Sequence, residues 1–262
     1  MRHRVNRLEF GHALSAFQVV TILAAGLIAG IVNAIVGSGS LLTFPALLAA
    51  AYSPVVANVS NSVGLVLGNV SGVVGYRREL AGQERRAAQL AIPAALGSLV
   101  GAALLLALPE AVFHRVVPAL VLLAVVLVLV QPRLSAALAR YRDHAASWWG
   151  LRIGVALTAV YGGYFGAAMG VLLIAVLSVF LKDDLQRINA LKNVMATVIN
   201  ALAAVVFVVF AHVAWVAAAL IAISSIAGGL LGAAVGRRLH PNVLRSLIVI
   251  GGLAAFIKLL AS

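Results

Sequence analysis

The chain has 262 residues, 63% hydrophobic and 10% charged, with a mean hydropathy of +1.11, which leaves too little polar surface to cover a water-soluble globule of that length. A net charge of +12 and a pI near 11.4 would suggest nucleic acid for a soluble protein, but here the basic residues fall in short loops between apolar runs, where they set orientation and meet anionic headgroups. The absence of cysteine excludes disulfides, thiolate metal sites, iron–sulfur clusters and thiol catalysis.

In chain order, the basic N-terminus MRHRVNRLEF precedes a hydrophobic run that continues to about Ala50. That is well past a signal-peptide core, so the run is read as mature protein. Eight hydrophobic segments are expected, at about 17–50, 55–76, 87–108, 114–131, 150–181, 189–211, 213–236 and 242–260, most near the ~20 residues a helix needs to cross a bilayer. None alternates as a transmembrane β-strand would. The fold class is therefore an all-α polytopic membrane protein.

The first segment contains NAIVGSGSLLTFPALL, from Asn33, and the fifth contains GGYFGAAMG, Gly162 to Gly170. Glycine weakens a helix and proline removes a backbone donor, so both segments are predicted to be interrupted. Inside a membrane such breaks survive only where protein or a water-filled cavity satisfies the freed backbone.

The second segment carries ANVSNSVGLVLGN, Ala57 to Asn69, and the sixth carries INALKNVMATVIN, Ile188 to Asn200. IPAALGSLVGAALL at Ile92 likewise matches ISSIAGGLLGAAVG at Ile223. Asn58 pairs with Asn189, Asn69 with Asn200, Gly97 with Gly228 and Gly101 with Gly232, always 131 positions apart, as 189 less 58. This predicts a first repeat over 1–131, a connector over 132–149 and a second repeat over 150–262, together one membrane domain.

The arginine-rich stretch Tyr76 to Arg86 and the connector are expected on the cytoplasmic side. If each first segment returns to its own side, the repeats are inverted and fourteen of the nineteen Lys and Arg residues lie inside; if it crosses once, they are parallel and twelve do. The inverted arrangement, with re-entrant first segments, is the expectation. It brings Lys182, Arg187, Lys192, Arg237, Arg238 and Arg245 inside and puts Arg2, Arg4 and Arg7 outside.

All seven carboxylates, Glu9, Glu79, Glu84, Glu110, Asp143, Asp183 and Asp184, fall in loops or at span ends, which leaves none for an intramembrane proton relay. Enzyme motifs are absent and the six histidines lack metal-ligand spacing, so no catalysis, metal or cofactor is expected. The polar stripes remain. Asn58 and Asn69 are about three helical turns apart and share a face with Asn61. The second stripe repeats this with Asn189 and Asn200, placing Lys192 opposite Asn61 and Asn193 opposite Ser62. Such amides either glue helices together or line a site. Lys192, close to a helix start, adds to the positive end of the helix dipole and makes an anion site, or else it snorkels to the interface with Arg187. Ser38, Ser40, Asn33 and the backbone around Gly166 would supply neutral partners.

These residues carry a resemblance. NAIVGSGSLLTFPALL, ANVSNSVGLVLGNVSGVVGYRREL, YGGYFGAAMGVLL and RINALKNVMATVIN, in this order, resemble the TauE/SafE family of sulfite and organosulfonate exporters from about Gly26 to the C-terminus. The resemblance implies a multi-pass bacterial inner-membrane protein that moves small sulfur-containing anions such as sulfite, sulfoacetate or thiosulfate outward. The family commonly has three glycines where this chain has Ser38, Gly39 and Ser40, which bears on substrate choice. Expected partners are the anion and membrane lipid, with no nucleic acid and with room for a homo-oligomer. The competing readings are a transporter of a cation or amino acid, and a membrane scaffold in which both stripes only pack.

Overall fold

The computed structural model describes residues 14–140, 147–235 and 241–260. Arg2, Arg4, Arg7, Glu9, Arg142, Asp143, Arg237 and Arg238 lie outside the described residues. In chain order the helices are α1 (Ala16–Ile35), α2 (Ser40–Ala49), α3 (Pro54–Gly75), α4 (Arg77–Leu80), α5 (Glu84–Ala107), α6 (Glu110–Arg140), α7 (Trp148–Tyr164), α8 (Met169–Phe180), α9 (Leu185–Phe210), α10 (Trp215–Val235) and α11 (Pro241–Leu260).

Local chemistry sets the helix starts. Ser15 and Gln18 form a reciprocal capping box at α1, Ser53 caps α3 with Pro54 in its first turn, and the Asp184 carboxylate accepts from the Gln186 N–H at α9. Five stretches are long and apolar enough to cross a membrane: α1, α5, residues Glu110–Gln131 of α6, α9 and α10. α3 has the length at 22 residues, but its three asparagines dilute its hydropathy. α2 and α8, at 10 and 12 residues, reach only about half-way across at ~1.5 Å per residue.

The first and fifth expected segments each divide in two. The breaks fall at Val36 to Gly39 and at Phe165 to Ala168. Pro45 does not mark the first break, because it lies inside α2. Gly37 takes a φ of 85° and Ala168 a φ of 57°, both left-handed. The two breaks touch: the Gly170 N–H donates to the Gly37 carbonyl at 2.9 Å, and a Cβ on either glycine would lie 2.3–2.4 Å from the other's Cα. Only two glycines allow that approach.

Helix directions follow from neighbouring residues. Gly26 and Gly30 of α1 lie against Ile221 and Ser225 of α10, while Gly64, Gly68 and Gly75 of α3 lie against Ile221, Ser225 and Ala233 of the same helix. α1, α3 and α10 therefore run the same way. Since α1 and α3 are parallel, α2 must return the chain to the end where α1 began. The second part of the chain does likewise. Gly97 and Gly101 of α5 lie against Ala156 and Val160 of α7, and along α9 Gln83 meets Arg187 while Ser98 meets Ile199, so α5, α7 and α9 are parallel and α7–α8 is a second hairpin. α3 and α9 run oppositely: Gly72 lies beside Asn193, and the Ala214 N–H, just past α9, donates to Ser60 Oγ at 2.8 Å.

The surface is apolar. Ile92, Leu96, Val209, Phe210, Ile223 and Ile257 are all more than half exposed, whereas the interior holds Asn, Ser and Thr side chains. That distribution suits hydrocarbon as the outer solvent, and the protein is a multi-pass membrane protein. The glycines of α5 and α10 serve helix packing: Gly101 meets the Val160 carbonyl, and Gly228 the Leu27 carbonyl.

Candidate functional site

A helix leaves its last carbonyls without partners, and α1 stops in mid-protein at Ile35. The Val32 carbonyl accepts from the N–H groups of Val36 and Gly37, which leaves Asn33 and Ala34 to be satisfied from elsewhere. α9 supplies the donors. Lys192 Nζ donates to the Asn33 carbonyl at 2.7 Å and to that of Ala34 at 3.4 Å. Asn189 Nδ2 and Asn193 Nδ2 also donate to the Ala34 carbonyl, at 3.0 and 3.2 Å. Lys192 is 0% exposed and is the one buried charged side chain among the described residues. It lies in the second turn of α9, set against the negative end of α1, and does not snorkel.

The first stripe treats α7 in the same way but more sparingly. Asn58 Nδ2 donates to the Tyr164 carbonyl, the last residue of α7, at 3.0 Å. Asn61, at the position matching Lys192, turns instead to α2, where Thr43 Oγ1 donates to its Oδ1. Asn69 Oδ1 accepts from Asn33 Nδ2 at 3.4 Å, and Asn33 Oδ1 accepts from the Gly39 N–H at 2.6 Å, spanning the first break.

Four buried polar atoms at the stripes and first break have no partner: Ser38 Oγ, Asn58 Oδ1, Asn69 Nδ2 and Asn189 Oδ1. Two can donate and two accept, and buried groups of this kind ordinarily find partners. Asn33, Asn69, Asn189, Lys192 and Asn193 thus gather around the end of α1, while Asn58 and Asn61 serve the neighbouring end of α7 and α2. Ser40 opens α2 and Gly166, with a φ of 77°, forms part of the second break. Asn200 is buried further along α9.

Sequence reasoning missed Thr43, whose neighbours in SLLTFP are apolar. It also missed the aromatic wall beside the breaks, where Phe165 packs edge-on against Phe44 and Phe113 at 5.5 and 6.2 Å. Tyr161, whose hydroxyl donates to the Ala167 carbonyl at 2.6 Å across the second break, was hidden in an apolar run. A polar cluster at one end of the bundle was equally unmarked. Arg86 and Arg187 both pair with Asp183, at 2.9 and 2.8 Å, and Gln83 Nε2 donates to the Arg187 carbonyl at 3.1 Å. The cluster joins the loop before α5 to the loop before α9. Partial burial pushes the Asp183 carboxyl up, but hydrogen bonds from Arg86, the Asp184 N–H and Arg187 hold it below its ordinary value.

Residues 22–259 match the family described as Sulfite exporter TauE/SafE. The chain is 26% identical over 231 residues to a probable membrane transporter protein of Haemophilus influenzae, covering 87% of this chain and 89% of that one. It is 26% identical over 242 residues to the probable membrane transporter protein YfcA of Escherichia coli K12, covering 89% and 86%. A probable membrane transporter protein, ORF9, of a Sinorhizobium species is 24% identical over 247 residues, 94% of each chain. No solved structure matches this chain at a significant level.

Proposed function

The chain belongs to the sulfite exporter TauE/SafE family, and on that premise we propose that this membrane transporter carries small sulfur-containing anions out across the bacterial inner membrane. The observation that carries the reading is Lys192: a fully buried ammonium held only by backbone carbonyls among the described residues, beside unpartnered buried polar atoms. A buried cation without a carboxylate is a place for an anion. Membership of a transporter family sets the scaffold reading aside, and a buried ammonium disfavours cationic cargo.

The mechanism is alternating access between two inverted repeats, α1 to α6 and α7 to α11. Three features support inversion: the helix order of long, short and long recurs after the connector, each first pair of helices returns to its starting end, and α3 and α9 run oppositely. The touching breaks at Gly37 and Gly170 provide the pivot, and the anion sits at the end of α1. An inside-negative potential favours outward movement of each negative charge by about 2.3 kcal/mol per 100 mV, so export needs no coupling ion.

The test is sulfite efflux from proteoliposomes under an imposed potential, with wild type and Lys192→Ala compared at equal thermal stability. Potential-dependent efflux that Lys192→Ala abolishes is the expected result. Equal efflux from the two proteins would overturn the site, and efflux indifferent to the potential would overturn the driving force.

A further inference from the structure

We infer that the transported species carries a single negative charge, and that the one lysine of the paired stripes is what sets this limit. The inference rests on the anion-export reading and narrows it to hydrogen sulfite and monosulfonates, against dianions such as sulfite itself, thiosulfate and sulfoacetate.

The charges at the site decide the matter. Lys192 contributes one positive charge and is the one buried charged side chain among the described residues. Its carbonyl partners are the end of α1, Asn33 and Ala34, and a helix C-terminus bears roughly half a negative charge. The charge of Lys192 is therefore already partly neutralised by the protein itself. A monoanion brings the site slightly below neutrality, which the neutral donors Ser38 Oγ and Asn69 Nδ2, both buried and unpartnered, can moderate. A dianion leaves more than one full charge uncompensated in a region walled by helices and lipid, where unpaired charge is costly.

The matching position of the other stripe sharpens the point. Where the second copy has Lys192 the first has Asn61, whose Oδ1 accepts from Thr43 and supplies no charge. Asn61 turns to α2, so no second cation joins Lys192 at the end of α1. The orphaned acceptor Asn189 Oδ1, beside the Ala34 carbonyl, also suits a ligand that keeps a proton to donate, as hydrogen sulfite does, and not a fully deprotonated oxyanion.

Two probes of nearly equal shape separate the cases. Sulfoacetate is a dianion, and its amide, sulfoacetamide, is a monoanion. In wild-type proteoliposomes at zero potential, sulfoacetamide efflux should exceed sulfoacetate efflux by on the order of a hundredfold, and zero-current potentials measured on sulfite gradients should give one charge per sulfur atom moved. Sulfoacetate moving within about tenfold of its amide, or two charges per sulfite, would overturn the inference while leaving anion export standing. No movement of sulfite or either probe would overturn the export reading itself. Asn193→Lys, which would add a second cation at the Ala34 carbonyl, should gain sulfoacetate transport; should that variant fail to fold, the charge count on wild type decides alone.

Discussion

The two polar stripes occupy matching positions and perform the same structural task on opposite helices, yet they differ in strength. α9 brings Lys192, Asn189 and Asn193 to the carbonyls that end α1, whereas α3 brings Asn58 alone to the carbonyl that ends α7. The difference traces to two positions, Asn61 against Lys192 and Ser62 against Asn193, and it leaves only one of the two stripes with a charge. Matching amides thus serve two helix ends, and only one of those ends also receives a cation.

The largest effect that would break this comparison is loss of transport on removing the lysine. Lys192→Ala should lower sulfite efflux by about a hundredfold or more, while Asn61→Ala at the matched position should lower it by less than about tenfold. Equal losses would mean that the stripes share the work.

Next in size is the junction between the two breaks. Gly37→Ala should destabilise the protein by about 3 kcal/mol, because the added Cβ meets the Gly170 Cα at 2.4 Å on a backbone with a φ of 85°. Thermal unfolding in detergent measures this, and an unchanged midpoint would show that the breaks do not bear on each other.

Single amides give smaller effects, in a particular order. Asn58→Ala leaves the Tyr164 carbonyl without its side-chain donor and should cost about 1–2 kcal/mol. Asn189→Ala should cost only a few tenths, since Lys192 and Asn193 still serve the Ala34 carbonyl. Denaturation of the two variants side by side checks the order, and a larger loss for Asn189→Ala would reverse the comparison.

An effect of similarly small size lies at Asp183, which joins the loops before α5 and α9 at one end of the bundle. Its folded carboxyl is held below its ordinary value, so its contribution is fully present above the carboxylate range and is lost as pH falls below about 4. In this partly exposed setting it amounts to about 0.5–1 kcal/mol. Asp183→Asn should lower the unfolding midpoint at neutral pH by that small amount and remove the acid-dependent part of the loss. A variant as acid-sensitive as wild type would assign that sensitivity elsewhere.

Much of this molecule was legible in its residues one stretch at a time. Hydropathy selects hydrocarbon as the outer solvent, the glycines of GSGSLLTFP and GGYFGAAMG announce breaks, and the 131-residue spacing pairs Asn58 with Asn189. Each is a local property or a comparison of two local patterns. Pro45 misled because a proline in sequence does not say whether a helix ends there or tolerates it, and in α2 it is tolerated.

What the sequence by itself determined, then, is a helical membrane protein with interrupted first spans and two polar stripes. Only the tertiary structure decided what those stripes touch. Lys192 meets the Asn33 carbonyl across 159 positions of chain and Asn189 meets that of Ala34 across 155. No local pattern encodes such a pairing, because an unpaired carbonyl at the end of α1 is satisfied by whichever donor the crossing of α9 brings to it.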